Sequence, residues 1–210
     1  MFFEKNYEAL FQKCPDLSKK IIKLEDYDQD KYKILFSNNG HPVLKIIDEG
    51  KISFLHSKYN PQAEAKQLID EYYSEDISVY LVYGFAFGYH IEELLLRNPN
   101  AAIFIYDTNI YVFKLAMENR DLTKLLENEN LHIIIEEDSV SFSNQLGRDI
   151  EKYDGRVIIH MPSLRIIPKS LVQIKYLLED FKMKENTIEK YKDLLFYNFT
   201  QNISKYDYCV

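Results

Sequence analysis

A regular alternation of apolar strand segments and helical patterns between residues 78 and 161 is the feature that most constrains the fold. The predicted strands are Ser78–Tyr83, Ala101–Tyr106, Leu131–Glu136 and Arg156–Met161, and the predicted helices between them are Tyr89–Arg97, Ile110–Leu126 and Val140–Tyr153. Strands that are apolar along their length and separated by helices are typical of a parallel sheet covered on both faces. With the right-handed crossover rule, the alternation predicts a Rossmann-like, three-layer α/β unit.

The first sixty residues have a different pattern. An N-terminal helix with one apolar face is ended or bent by Pro15. Three short apolar runs follow, separated by the turn-forming sequences SNNGH and DEG, and they predict a small antiparallel meander. The runs are Lys31–Phe36, Pro42–Ile47 and Lys51–His56. Asn60, a good N-cap, and Pro61, suited to a first helical position, then begin another helix.

A helical pattern runs from Pro168 to the end of the chain. Its apolar positions are Leu171, Ile174, Leu178, Phe181, Ile188, Leu195 and Phe199. Because such a stripe exceeds an average helix, we expect part of it to contact a neighbouring domain or a second copy of the chain. The chain is therefore predicted to comprise a helix-and-meander part (1–60), an α/β domain (61–168) and long C-terminal helices that form a connector (169–210).

Composition narrows the class of partner. The 210 residues carry a net charge of −7 with 46% hydrophobic residues, which is typical of a soluble globular protein and argues against a nucleic-acid partner. No apolar run reaches the ~18 residues that a membrane span needs. Only two cysteines are present, near opposite ends of the chain. We therefore expect a cytoplasmic location.

The strand before residue 84 ends in a glycine-bounded turn that opens a helix. The turn residues are Gly84, Phe85, Ala86, Phe87 and Gly88, and the helix begins with Tyr89 and His90. Glycines let a backbone approach a ligand, and a helix N-terminus offers N–H groups to an anion or hydroxyl. In that interpretation Asp107 accepts hydrogen bonds from a ribose, and Asp138 lies near a base or sugar.

The same turn also fits a ligand-free corner between a strand and a helix. Ala86 stands at the middle position of the dinucleotide fingerprint and the third glycine is missing, while Phe85 and Phe87 are bulky for a phosphate-binding loop. The pattern is closer to the S-adenosylmethionine-binding loop of Rossmann methyltransferases than to a nicotinamide site. Both interpretations stay open from the sequence.

The histidines give no catalytic or metal-binding motif. His56 and His90 stand out, because each follows a strand and precedes a helix, beside Ser57 and Tyr89 respectively. His160, in a predicted strand, is expected to be a core or edge residue. No pair has metal-ligand spacing, and no nucleophile motif is present. We therefore predict neither catalytic residues nor a metal site in this chain.

Three segments taken together resemble one family. FLHSKYNPQAEAKQLID, VYGFAFGYHIEELL and NRDLTKLL are similar to the N-terminal domain of motility accessory factor (Maf) proteins, which are bacterial flagellin glycosyltransferases. The resemblance covers about residues 31–126. Two positions depart from the family pattern: Ala86 replaces a glycine, and Asp107-Thr108 stands where an acid–proline pair is common. The implied signature positions are His56, Ser57, Tyr59, Pro61, Gly84, Gly88, Tyr89 and His90.

The resemblance implies a function for the longer protein. In that family this domain precedes a catalytic domain, which transfers a nonulosonic acid, such as pseudaminic acid, from a CMP-sugar to Ser or Thr of flagellin. The chain is then expected to be a non-catalytic accessory domain that positions a partner or the protein substrate. Two alternatives remain: a small-molecule methyltransferase using S-adenosylmethionine, and a scaffold or homo-oligomerisation module using the C-terminal helices.

Overall fold

A computed structural model describes residues 1–153 and 155–183 of the protein. Most of the elements lie within one or two residues of the predicted positions. The strands are β1 (Tyr32–Phe36), β2 (Pro42–Asp48), β3 (Lys51–Phe54), β4 (Val79–Tyr83), β5 (Ala102–Asp107), β6 (Leu131–Ile135) and β7 (Arg156–Ile159). The helices are α1 (Phe2–Lys13), α2 (Pro15–Ile22), α3 (Pro61–Tyr72), α4 (Tyr89–Arg97), α5 (Ile110–Asn119), α6 (Thr123–Leu126), α7 (Ser139–Lys152) and α8 (Met161–Arg165). A 3₁₀ turn, Lys169–Leu171, leads into a last helix over residues 172–183.

The strands form two separate sheets. β1, β2 and β3 pair antiparallel in chain order, which confirms the predicted meander. The other four strands form a parallel sheet in the order β6-β5-β4-β7. The chain reverses its direction of winding between β4 and β7, so these two strands flank the topological switch point of the sheet. The prediction of a Rossmann-like parallel sheet is confirmed.

The parallel sheet is covered on both faces because its strands alternate between two hydrophobic clusters. Tyr80 and Val82 of β4 belong to the larger cluster, which includes residues of α1, α3, α4, α5 and the meander. Leu81 and Tyr83, which point to the opposite face, pack with α7, α8 and the last helix. The meander and α1 therefore lie against one face of the sheet, and the C-terminal part of the chain lies against the other.

The predicted helix Ile110–Leu126 is wrong in one respect, since it is broken at Arg120. Arg120 has extended backbone angles, and α6 begins at Thr123. The buried Asn6 of α1 stabilises the break: its amide donates to the carbonyls of Met117 and Arg120, at 2.7 Å each, and its oxygen accepts from Leu122 N–H at 2.8 Å. A distant residue thus satisfies the polar groups that the end of α5 leaves unpaired.

The described part of the C-terminal pattern packs inside the protein. Leu171, Ile174 and Leu178 are buried in the second cluster against the sheet. Ile188, Leu195 and Phe199 of the predicted stripe lie outside the described residues. Contact between this stripe and a neighbour, like the division of the chain at residues 60 and 168, stays a prediction. Over the described ranges, no helix is long and apolar enough to cross a membrane.

Candidate functional site

The glycine turn follows β4 and packs directly against α8. Gly84 has a φ of +94°, and a Cβ placed on it would lie 2.5 Å from the Cβ and 2.6 Å from the Oγ of Ser163. Only glycine fits there, because the backbone is left-handed and the space is already filled. Since α8 follows β7, the crevice between β4 and β7 is occupied by the protein's own helix.

Four of the five N–H groups of the turn have an acceptor within the protein. The acceptors are the Tyr106 carbonyl for Gly84, the Asp107 carboxylate for Phe85, His56 Nε2 for Phe87 and the Phe85 carbonyl for Gly88. The four distances from Gly84, Phe85, Phe87 and Gly88 lie between 2.8 and 3.0 Å. A loop that binds phosphate or a carboxylate leaves such groups unpaired for the ligand. This turn does not.

Asp107 holds two turns together. Its carboxylate accepts from Phe85 N–H at 2.8 Å, from Thr108 N–H at 2.7 Å and from Asn109 N–H at 2.9 Å. The side chain is 4% exposed. Burial raises the pKa of the carboxyl, while the backbone N–H groups close to it act in the opposite direction. Asp107 therefore anchors the glycine turn to the end of β5, and its oxygens are engaged within the protein.

The two bulky residues of the turn belong to the core. Phe85 and Phe87 have no exposed surface, and the Phe85 ring lies edge-on to Phe113 of α5 with centroids 4.7 Å apart. Phe87 packs beside His56, with ring centroids 5.6 Å apart. Ala86, also fully buried, has a φ of +48°, which is unusual for a residue with a Cβ. The side chains that seemed too large for a ligand loop instead fix the turn to two neighbouring elements.

Three histidines from separate elements meet behind the turn. His56 follows the meander, His90 lies in the first turn of α4, and His160 is the N-cap of α8. The His90 and His160 rings stack with centroids 4.7 Å apart and an interplanar angle of 5°, and the His56 ring lies 5.7 Å from His160. None is more than 4% exposed. His160 is a core residue, as expected, but the predicted strand Arg156–Met161 is wrong at its end, because β7 ends at Ile159 and His160 caps α8.

Hydrogen bonds fix the proton positions of the His56 and His90 rings. Because Phe87 N–H donates to Nε2 of His56, the neutral His56 ring carries its proton on Nδ1. His90 Nε2 donates to the Gly84 carbonyl at 2.9 Å, which leaves His90 Nδ1 unprotonated. This buried nitrogen has no hydrogen-bond partner among the described residues. The third ring, His160, forms a 2.8 Å hydrogen bond through Nδ1 with Ser163 Oγ.

Burial keeps all three rings neutral. The pKa of His90 is lowered to about 4, first by loss of solvent and then by the Arg120 guanidinium, although the Gly84 hydrogen bond acts in the opposite direction. The pKa values of His56 and His160 also lie well below the usual range for histidine, because of burial and of the neighbouring histidines. A proton on any of these rings would be a buried charge. We therefore expect the packing of the three rings to be stable near neutral pH and to be destabilised in acid.

Arg120 joins the turn to the break between α5 and α6. Its guanidinium donates to the Phe87 carbonyl, pairs with Glu92 at 2.6 Å and lies 3.8 Å from the centroid of the Tyr89 ring. Tyr89 in turn donates its hydroxyl to the Pro42 carbonyl at 2.8 Å. The sequence interpretation did not include Arg120 among the site residues. The sequence contained one indication of a role for Arg120, since this residue lies in the segment NRDLTKLL, which resembles the family.

The segment from His56 to Asn60 forms the turn that leads into α3, which begins at Pro61. The Ser57 hydroxyl accepts from the N–H groups of Tyr59 and Asn60, and Ser57 N–H donates to the Glu64 carboxylate at 2.7 Å. Asn60 accepts from Ala63 N–H, which confirms it as the N-cap. The Tyr59 side chain contrasts with its neighbours because it is 71% exposed.

Most of the predicted site residues fall into two groups, while Ser57 and Tyr59 lie in the segment before α3. His56, His90, Tyr89, Asp107 and the glycine turn come together in one buried cluster. Asp138 lies apart from them as the exposed N-cap of α7, where it accepts from Ser141 N–H at 2.7 Å. Sequence reasoning placed no role on Ser163, which could be found only from the structure. In residues 1–153 and 155–183, no group of three or more His, Cys, Asp or Glu side chains could hold a metal ion.

The fold and the buried cluster define the class of protein. It is a three-layer α/β domain in which the glycine turn contacts both α8 and the segment that follows the meander. Comparison with known proteins gives the family. The family model "Glycosyltransferase Maf N-terminal domain" matches residues 49–162. The chain belongs to this family, and the resemblance seen in the sequence is confirmed.

The chain is also similar in sequence to a relative and in fold to a solved structure. The chain is 29% identical over 140 residues to an uncharacterized protein of Treponema pallidum (strain Nichols). The match covers 63% of this chain and 47% of the relative, so the chain spans about half the relative's length. The structure of the Maf glycosyltransferase from Magnetospirillum magneticum AMB-1 shares the fold, with a TM-score of 0.55 and 16% identity, over 76% of this chain and 32% of that one.

Proposed function

We propose that this chain is a non-catalytic accessory domain of a Maf-type glycosyltransferase that modifies Ser or Thr of flagellin with a nonulosonic sugar. The observation that carries the non-catalytic role is the closed glycine turn. Four of its five N–H groups and the Asp107 carboxylate are engaged within the protein. In the proposal, a separate catalytic domain binds the CMP-sugar in the cytoplasm, and this domain positions the catalytic domain or the flagellin.

The surface around Tyr59 is our candidate for the positioning role. Tyr59 is 71% exposed at the start of α3, while its neighbours Ser57 and Asn60 are engaged in the turn that holds it. An exposed tyrosine on a fixed turn is a common anchor of protein–protein interfaces, because it contributes a large contact area with few rotatable bonds. Tyr59 therefore has the properties of a partner contact rather than of a ligand contact.

Deletion of the coding region in the source bacterium tests the proposed function. We expect intact-mass spectrometry of purified flagellin to show loss of the sugar increments, and the wild-type gene to restore them. Restoration by a Tyr59→Ser variant should be partial. The matched control is Tyr176→Ser in the last helix, which removes a tyrosine of similar exposure (64%) elsewhere on the surface. Flagellin of unchanged mass in the deletion strain would contradict the proposal.

The methyltransferase alternative is tested by calorimetric titration of the chain with S-adenosylmethionine and, separately, with CMP. The closed turn leads us to expect no saturable heat from either compound at millimolar concentration, because four of its N–H groups and the Asp107 carboxylate are already engaged within the protein. Micromolar binding of S-adenosylmethionine would favour the alternative. The proposed use of the C-terminal helices in a homo-oligomer is tested by sedimentation, where a monomer at all concentrations would remove it.

A further inference from the structure

We propose that a cleft between the meander and the segment after α8 binds a small organic anion that carries phosphate or carboxylate groups. The cleft has a volume of about 560 Å³, within the range typical of small-molecule sites. We call it the lysine cleft. Its charged residues are Lys31, Lys51, Arg165, Lys169, Asp48 and Glu49.

The location of the cleft favours a ligand site. Asn109, which follows the end of β5 and caps α5, lies on its wall, and its side-chain amide donates to the Tyr32 hydroxyl at 3.4 Å. The cleft therefore opens beside the carboxyl ends of the parallel strands, the edge at which open α/β sheets bind ligands. The switch-point crevice itself is filled by α8, and Arg165 at the end of α8 reaches the cleft. The accessible space is thus displaced outward from the glycine turn.

The charge of the cleft favours an anion. Four cationic side chains face two carboxylates there, although the whole chain has a net charge of −7. Lys31 pairs with Asp48 at 2.9 Å, and Lys169 pairs with Glu49. Lys51 lies directly across the strands from Asp48, so three lysines surround two adjacent acids. Among the described residues, neither Lys51 nor Arg165 has an ion-pair partner, and an anionic ligand would supply one.

The remaining walls are suited to an organic ligand. Ile46, which is 3% exposed, and the half-buried Ile166 and Ile167 provide apolar contact. The Tyr32 ring and the hydroxyl of Ser53 line the same space. An apolar surface with a few polar groups and a cationic rim is the usual composition of a site for a phosphorylated or carboxylated metabolite.

An NMR titration of the ¹⁵N-labelled chain at constant ionic strength tests the proposal. Pyrophosphate and citrate are the two probes, so that phosphate and carboxylate recognition are distinguished. We expect at least one probe to cause saturable shifts confined to the amides of the cleft. The double variant Lys51→Gln/Arg165→Gln should weaken that binding by at least about tenfold, because two charge-assisted contacts are lost.

The matched control is Lys66→Gln/Arg148→Gln, which removes the same two charges from exposed positions on α3 and α7. This variant should change the affinity by less than about twofold, since its charges are distant and screened. Shifts that rise linearly over the whole surface, or equal weakening in both double variants, would overturn the proposal. The flagellin assay is independent of this result, so either idea can fail alone.

Discussion

The glycine turn and the lysine cleft lie at the same edge of the parallel sheet, but they differ in how their polar groups are used. In the glycine turn, four of the five N–H groups have an acceptor within the protein and the aromatic side chains are fully buried. In the lysine cleft, Lys51 and Arg165 have no ion-pair partner among the described residues. A sequence motif that is typical of ligand binding thus forms hydrogen bonds within the protein instead. The cleft that is open to a ligand lies elsewhere, at residues that no sequence motif identifies.

The largest expected effect is that of Asp107→Ala, which breaks the closed turn. It removes the acceptor of several buried N–H groups, so we expect the free energy of unfolding to fall by about 3–5 kcal/mol. Urea unfolding followed by circular dichroism at pH 7.5 measures this. Asp138→Ala is the control, because Asp138 is an exposed cap, and its effect should be much smaller. Equal stability of the two variants would mean that Asp107 does not hold the turn.

Gly84→Ala tests the contact between the turn and α8. The added methyl meets Ser163 at a backbone φ of +94°, so we expect a loss of about 2–4 kcal/mol in unfolding free energy. Adding Ser163→Gly should restore part of it, because the two changes share one contact. Gly147→Ala is the control: it lies in α7 with no atom within 4 Å of the new methyl, and should stabilise by about 0.5–1 kcal/mol. A tolerated Gly84→Ala would show that α8 does not fill the crevice.

The histidine cluster should make stability depend on pH. His90 has a pKa of about 4 in the folded protein and about 6.5 when unfolded, so the unfolded state binds more protons between these values. Its contribution is complete above pH 6.5 and is lost as the pH falls toward 4. From pH 7.5 to 5.0 we expect His90 to account for a loss of about 2 kcal/mol.

His90→Gln isolates this effect, since glutamine can still donate to the Gly84 carbonyl. Urea unfolding at pH 5.0, 6.0 and 7.5 should show a shallower pH dependence for His90→Gln than for the wild type. His132→Gln, at an exposed position in β6, should reduce the dependence less than His90→Gln does, because the pKa of His132 is also lowered but its ring is not enclosed. Parallel pH profiles for all three proteins would contradict a buried, neutral His90.

The smallest expected effect is that of Ala86→Gly. Glycine relieves the left-handed backbone at a φ of +48°, but it removes a buried methyl group and adds freedom to the unfolded chain. These terms nearly cancel, so we expect a change within about 1 kcal/mol, measured by the same urea unfolding. A loss of several kcal/mol would show that the methyl group is essential to the packing of the turn.

Periodicity predicted the elements well, but not the interactions between distant residues. Strands such as β4 and β5 are recognisable because they are apolar along their length, and Asn60 and Pro61 mark the start of α3. The break at Arg120 was not predictable, because the residue that stabilises it, Asn6, lies more than a hundred positions earlier.

The site shows the same limit. An acidic residue at the end of a strand looks the same in the sequence whether its carboxylate binds a ribose or accepts hydrogen bonds from backbone N–H groups of nearby turns. Only the three-dimensional structure distinguishes the two cases for Asp107. Likewise, His90 and His160 come from different elements, and no local sequence pattern predicts that their rings stack. The lysine cleft has no sequence signature, since its cations come from two parts of the chain, residues 31–51 and 165–169, that are more than a hundred positions apart.

Amide hydrogen exchange measured by NMR on the native chain tests the central claim most directly, because it reports on the N–H groups of the turn themselves. If the N–H groups of the turn are engaged within the protein, the amides of Phe85 and Phe87 exchange as slowly as those of the central strand β4. Exchange at both places then requires global unfolding. Their signals also remain unchanged when S-adenosylmethionine or CMP is added. Rapid exchange of these amides, with shifts on addition of either compound, would contradict the account.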